Sequence, residues 1–365
     1  MDPMTQIPIV TGNHLQDCVL FVLACAGTVL RSTLLPLASS YQYLDKELRK
    51  LRTLKLITIT NTRPGVISLA AAGRELLQTK APAMYAYYMA VTSGGHPGGN
   101  AAHKRLREQA AMAAVTMLRS DIQLGPCRPT AHDVRTGLAP MYALSPAQYF
   151  PWRELIPSSA KEARENVSRS TGVLIAPAMR AVVYSLPRGQ EFLLAERAEY
   201  AAHHRLVLHM RQLYAATDLA QQAARSIIIG TPKDMLSALI PTDKGGKKSL
   251  YYALQGHSYA GSHLHFVSSA GTARELQLMT TYTMPQIVSY AFSHEEIAAT
   301  NTSSAEASIN GLDCYEFLSG DLSKLMWIKR VYQDMSQVGI ACWPHQVDFV
   351  RAVLGQDVKL RSRYR

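Results

Sequence analysis

The feature that most constrains the fold is a succession of hydrophobic periods between residues 14 and 77. From His14 to Val29, Leu15, Val19, Val22, Leu23 and Ala26 recur at three- and four-residue spacing, which lines one face of a first helix and demands a core beside it. After Gly27, Thr28 is placed to cap a second, short helix from Val29 to Leu37, with Pro36 near its end. Ala38-Ser39-Ser40 then turns the chain, and its serines accept from free backbone N–H groups of the next helix. From Tyr41 to Leu54, Leu44, Leu48 and Leu51 form one stripe, while Gln42, Lys46, Arg49, Lys50 and Thr53 fall on or near the opposite face. The period changes to two over Lys55 to Thr60, Asn61 to Gly65 supplies turn residues, and Val66-Ile67-Ser68-Leu69 returns as a second strand. Ala70 to Leu77 opens another helix directly after it.

The third helix carries the chemistry. A helix fits the major groove of B-DNA, where Gln and Arg make paired hydrogen bonds to adenine and guanine edges and Lys reaches guanine or phosphate. Gln42, Tyr43, Lys46, Arg49 and Lys50 are therefore the expected contacting set, joined by Arg52 near the end of the same helix and by Lys55 at the start of the strand that follows. Arg63-Pro64-Gly65 sits at the hairpin tip, where Arg63 can lie along the phosphates or enter the minor groove, a positioning role more than a reading one. A basic helical face is often merely solvated. The hairpin, its turn residues and the helix that follows it weigh towards DNA.

The order helix, helix, basic helix, hairpin, helix resembles bacterial winged-helix regulators of the multidrug-resistance and phenolic-acid regulator type. It also resembles the amino-terminal part of replication-relaxation and mobilisation accessory proteins of plasmids and integrative elements. The resemblance covers about the first fifth of the chain and specifies a fold better than a target. It implies a winged helix-turn-helix and double-stranded DNA as partner. It also implies that long helices flanking the unit pair two copies into a homodimer.

At 365 residues the chain has room for two or three domains. Its net charge of +11 favours a polyanionic partner, and the excess is patchy, gathered at residues 46–55, 103–107, 243–248 and 359–365. A ribosomal or membrane-surface partner would explain the charge too. Cysteines at 18, 25, 127, 314 and 342 have no paired spacing, so neither a zinc site nor a disulfide framework is expected and a reducing cytoplasm is the simplest compartment. The apolar run Cys18 to Leu30 contains Val22-Leu23-Ala24-Cys25, which resembles a lipoprotein cleavage box. No basic residue precedes it, and the same residues make a sensible first helix. No other segment approaches membrane-spanning length.

The pattern divides the chain into residues 1–80, a winged helix-turn-helix; 81–123, helical and suited to dimerisation; 124–160, a Pro-rich linker; and 161–365, an α/β domain. Thr92 to Asn100 is a Gly-rich loop with the wrong spacing for a phosphate loop or dinucleotide fingerprint, and reads as a hinge. The helix after it opens on His103-Lys104-Arg105-Leu106-Arg107, which either touches DNA backbone or is simply solvated. In the last part, Gly172–Ile175 with Ala181–Tyr184 reads as a hairpin, and Glu196 to Tyr214 as a helix. Ser226–Gly230, His263–Ser268, Leu312–Leu318 and Gly339–Trp343 read as strands that alternate with helices, so the overall fold class is α/β with a sheet at least partly parallel.

No complete catalytic set emerges. His263-Leu264-His265 places two histidines on one strand face, as in nickases that hold a metal beside a tyrosine. Tyr282 lies downstream without the lysine that often accompanies it. A nuclease of the Asp…Glu-x-Lys type needs a lysine near Glu316, and none follows at the required offset, although Asp313 and Glu316 share a strand. The domain therefore reads as nuclease-like but degenerate. Asp243 to Ser249 lacks the upstream glycine of a Walker loop, Pro241 holding its place, and reads as a basic loop. His203, His204 and His209 share a helix but not a face. Lys359, Arg361, Arg363 and Arg365 form a basic tail.

The expectation is a cytoplasmic, sequence-selective double-stranded DNA-binding protein, a transcription regulator or an accessory factor of a plasmid, phage or integrative element. No catalytic residue, metal or cofactor is assigned. The alternatives are a metal-dependent nickase or nuclease, and an interaction module that uses the same helical unit on protein.

Overall fold

The computed structural model describes residues 9–60, 66–92, 101–125, 147–151, 170–176, 178–186, 203–204, 225–239, 264–268, 273–300 and 304–362. The fold is mixed α/β with several sheets.

Helix α1 (His14–Ala26) begins where the Asn13 side chain accepts from Gln16 N at 3.2 Å. Its pattern predicted one apolar face, yet every residue from Leu15 to Ala26 is buried. The correction has a physical cause: α1 is packed on several sides, by α3 (Tyr41–Thr53), α4 (Ala71–Lys80), α5 (Pro82–Thr92) and α6 (Ala101–Arg119). Its polar residues are satisfied from neighbours, Asp17 by Thr11 N and Oγ1, both at 2.8 Å.

A second correction follows α1. The expected helix from Val29 to Leu37 is a strand, β1 (Thr28–Leu30), then a short helix α2 (Arg31–Leu34) and a 3-10 turn over Leu35–Leu37. Thr28 pairs with Ser68 instead of capping a helix. Helix α3 starts at Ser40, whose Oγ accepts from Tyr43 N at 3.1 Å. It ends in a left-handed turn at Lys55 (φ 57), with Leu56 N bonded back to Leu51 O at 2.9 Å. Lys55 therefore belongs to the turn, and strand β2 is Ile57–Thr60. β3 (Val66–Leu69) lies between β1 and β2, both pairings antiparallel. Gly73 of α4 rides on the end of α3: a Cβ there would stand 2.1 Å from Leu56 O.

Six strands form the next sheet in chain order: β4 (Gln123–Leu124), β5 (Gln148–Pro151), β6 (Ser170–Ala176), β7 (Met179–Ser185), β8 (Arg225–Gly230) and β9 (Leu264–Ser268). β6 and β7 make the expected hairpin, and β7, β8 and β9 run parallel. β5 lies within the stretch read as a Pro-rich linker. Its four residues are buried and paired with β6, so Pro151 ends an inner strand and not a connector. Helix α6 covers this sheet, its buried run from Ala111 to Leu118 packing on one side against the sheet and on the other against α1 and β1. That half of the helix is occupied inside the chain, which removes it as the dimerisation face expected of residues 81–123.

Helix α7 (Pro232–Ala238) follows β8, capped by Thr231, whose Oγ1 accepts from Asp234 N at 3.1 Å. Helices α8 (Arg274–Thr281), α9 (Met284–Ala291) and α10 (His294–Ala298) lead to a four-stranded sheet. Its strands β10 (Ala307–Ile309), β11 (Leu312–Glu316), β12 (Val338–Cys342) and β13 (Lys359–Ser362) are linked by α11 (Leu322–Val331) and α12 (Val347–Leu354). β11, β12 and β13 are parallel. Lys359 and Arg361, expected in a loose basic tail, are in β13, and Arg361 Nη1 donates to Glu296 Oε1 at 2.7 Å. The sheets meet where Phe266 N donates to Gly320 O at 2.8 Å. Gly320 has φ +68, and a Cβ on it would stand 2.2 Å from Phe266 O, so only glycine fits this junction.

Candidate nucleic-acid interface

Leu44, Leu48 and Leu51 are fully buried under α3, which fixes the helix by that stripe and turns the remainder outward. Gln42, Tyr43, Lys46, Arg49, Lys50 and Arg52 are all exposed on α3, and Lys55 on the turn after it. Gln42, Lys46, Arg49 and Thr53 recur at helical spacing, so they share one outward face about 20 Å long. That face itself lines an open concavity of about 940 Å³, together with Tyr41, Asp45, Lys50, Leu54 and Gln16 of α1. Arg63 lies outside the described residues, as do Asn61 to Gly65 as a whole.

Two acids modify the basic face, and the sequence reading passed over both. Asp45 forms two ion pairs: its Oδ2 lies 2.6 Å from Arg49 Nη2, and its Oδ1 lies 3.0 Å from Arg31 Nη1. Arg31 Nη1 also donates to Tyr41 Oη at 2.8 Å, which ties the start of α2 to the start of α3. Glu47 is buried on the other flank, where Gln16 Nε2 donates to Oε2 at 2.6 Å and Lys50 Nζ donates to Oε1 at 2.8 Å. The Lys50 bond, with help from Gln16, holds the Glu47 carboxyl below its usual range. Among the described residues no ion pair ties Lys46, Arg52 or Lys55 to an acid. The helix therefore offers two restrained cations and three unrestrained ones. Asp45 at i to Arg49 at i+4 was a readable pairing; Arg31 was not, because its approach depends on the tertiary fold.

Two of the residues weighed for catalysis, His265 and Glu316, lie at the seam between the two larger sheets. Lys324 Nζ reaches Glu316 Oε1 at 2.6 Å and Glu306 Oε1 at 2.7 Å, so α11 brings a lysine to Glu316 that no sequence offset revealed. Ser319 N and Oγ also donate to Glu316, at 3.1 and 3.0 Å. Burial opposes the charge on Lys324, but Glu316, Glu306 and Asp321 outweigh it and raise its pKa above the ordinary value. Burial pushes Glu306 up, only partly offset by Lys324. His265 is fully buried, and its Nδ1 lies 3.0 Å from Ser319 O, a carbonyl that can only accept, so Nδ1 carries the proton. Asp313 does not join this group. It stands three residues from Glu316 on the same strand and so on the opposite face, where Tyr332 Oη donates to it at 2.6 Å.

Glu316 has 0 % of its surface exposed, which makes the cluster a packed internal seam and not a cleft for a substrate. Among the described residues no group of three or more His, Cys, Asp or Glu could hold a metal ion. Tyr282 is exposed at the end of α8. His203 is near Ser226, Nε2 to Oγ 2.9 Å, while His263, His209 and the basic loop 243–249 lie outside the described residues. So do the Gly-rich residues 93–100, the helix read over 196–214 apart from His203 and His204, Arg363 and Arg365. Burial raises the thiols of Cys18, Cys25 and Cys342 to about 12, which leaves them protonated and unreactive.

No family model, curated protein or solved structure matches this chain. Among the described residues no helix is long and apolar enough to cross a membrane.

Proposed function

We propose that this chain is a sequence-selective double-stranded DNA-binding protein whose first unit acts as a winged helix-turn-helix and lays α3 in the major groove. The observation that carries this reading is the outward face of α3, where Gln42, Lys46 and Arg49 project from a helix anchored on its other side by three buried leucines. These side-chain types match base edges in the groove, and the helix is long enough to span several base pairs. Arg52 and Lys55, where α3 ends, would meet flanking phosphates, the role that the sequence pattern also gives to Arg63. The net charge of +11 supplies the sequence-independent attraction.

The role that suits such a protein is transcription regulation or accessory work on a mobile element, in the cytoplasm, with two copies on one site if the target is two-fold symmetric. Selection from random-sequence duplexes with the full chain tests the reading. One enriched motif is the expected result, and palindromic half-sites in it would mark a bound homodimer. Recovery of duplexes with no enriched sequence would overturn it.

A further inference from the structure

We propose that Asp45 is a specificity-determining residue: it poises Arg49 to read a guanine and keeps it from serving as a phosphate clamp. The inference rests on the DNA-binding reading and names what α3 recognises. Its basis is the chain Tyr41, Arg31, Asp45, Arg49. Asp45 is paired from behind with Arg31, whose Nη1 lies 3.0 Å from Oδ1 and donates to Tyr41 Oη at 2.8 Å while its guanidinium lies 5.7 Å from the Tyr41 ring centre. The carboxylate so placed forms an ion pair with Arg49, Oδ2 to Nη2 2.6 Å. Arg49 is 80 % exposed, Arg31 27 % and Asp45 only 15 %, so a largely covered acid steers a side chain that stands in solvent.

Two consequences follow. A guanidinium is a rigid planar fork with five N–H donors, and one ion-pair contact at Nη2 leaves the other N–H groups for the O6 and N7 of a guanine in paired contact. Fixing the fork beforehand removes much of the rotamer freedom a long side chain would lose on binding. The second consequence is electrostatic. Asp45 shares one negative charge between Arg31 and Arg49, so it offsets part of the Arg49 charge and repels phosphate, and this arginine contributes less to counterion release than an unpaired one. Lys46, Arg52 and Lys55, with no acid in ion-pair range among the described residues, are left to supply that term.

The experiment uses the full chain, the duplex enriched from a random library, copies of it with each G·C pair replaced in turn, and an unrelated duplex. Wild type is compared with Asp45→Asn and Arg49→Lys. The proposal expects one G·C replacement to weaken wild-type binding about tenfold or more, and both variants to lose most of that discrimination at the same pair. Asp45→Asn should also bind the unrelated duplex more tightly, with a log–log salt slope steeper by about 0.9. Arg49→Lys keeps the charge at an exposed position and leaves folding undisturbed, so its result stands even if Asp45→Asn proves unstable. Unchanged discrimination at every pair in both variants, or a uniform loss across all pairs and the unrelated duplex, would overturn the role of Asp45 while leaving DNA binding intact. Failure of wild type to bind any duplex at low salt would overturn both.

Discussion

His265 enters the fold uncharged. Burial lowers its pKa to about 4 from an ordinary 6.5, with Asp321 pulling the other way, and burial does the same to His203. Both folded values are depressed, so the unfolded chain takes up protons that the folded chain refuses. Stability is fully present above the ordinary histidine pKa and is lost as the pH falls towards the folded value. Each histidine contributes at most about 1.4 kcal/mol per pH unit across that window. The urea midpoint should therefore drop between about pH 7 and about pH 5, and His265→Gln should flatten the drop without abolishing it, because His203 remains. An unchanged slope in that variant would show that His265 is not held neutral. At the same scale, α3 shows what a sequence exposes: the leucine stripe and exposed cations of residues 41–55 were readable from spacing alone. The Arg31 contact to Asp45 was not, since it joins residues from two elements across a turn.

Among the elements, the seam between the sheets depends on one lysine. Lys324 of α11 is the cation that pairs with buried Glu316 and half-buried Glu306, and removing it deprives both carboxylates of that ion pair. Lys324→Met should lower unfolding stability by about 3–5 kcal/mol, whereas Glu316→Gln combined with Lys324→Met should recover part of that loss. Denaturant unfolding of the two variants measures it; a loss under about 1 kcal/mol in the single variant would contradict the pairing. Elements with a strong local period were legible: α3, the β6–β7 hairpin, and the β11, α11, β12, α12 succession match their patterns. Those specified by partners were not. β1 has three residues, too few to show alternation, and exists because Val66, Ile67 and Ser68 pair with it. β5 hides among prolines, and its strand character comes from pairing with β6. The β10–β11 hairpin turns on Asn310 and Gly311, both at positive φ, an Asn-Gly signal present in the sequence and overlooked there.

Across the whole molecule, one apolar core runs from α1 through α6 and one face of the six-stranded sheet to Trp343. A second core fills the space between the other face of that sheet, α11 and α12. The helical unit that carries α3 is thus not an independent bead on a linker, because α6 is shared between it and the sheet. Heating should give a single calorimetric transition, with the van't Hoff enthalpy close to the calorimetric one. Two resolved transitions would show that the first 80 residues fold and melt by themselves. This sharing also seats α3 on a core common to the first unit and the six-stranded sheet, the kind of support that a helix reading a groove would need. The most direct test of that role is equilibrium binding of the full chain to its selected duplex, with Lys46→Ala/Arg49→Ala as the comparison. Removal of both side chains should weaken binding about 30-fold or more and flatten the salt dependence, while the fold, checked by circular dichroism, stays intact. Equal affinity of the double variant and the wild type would contradict the assignment of α3 as the DNA-reading helix.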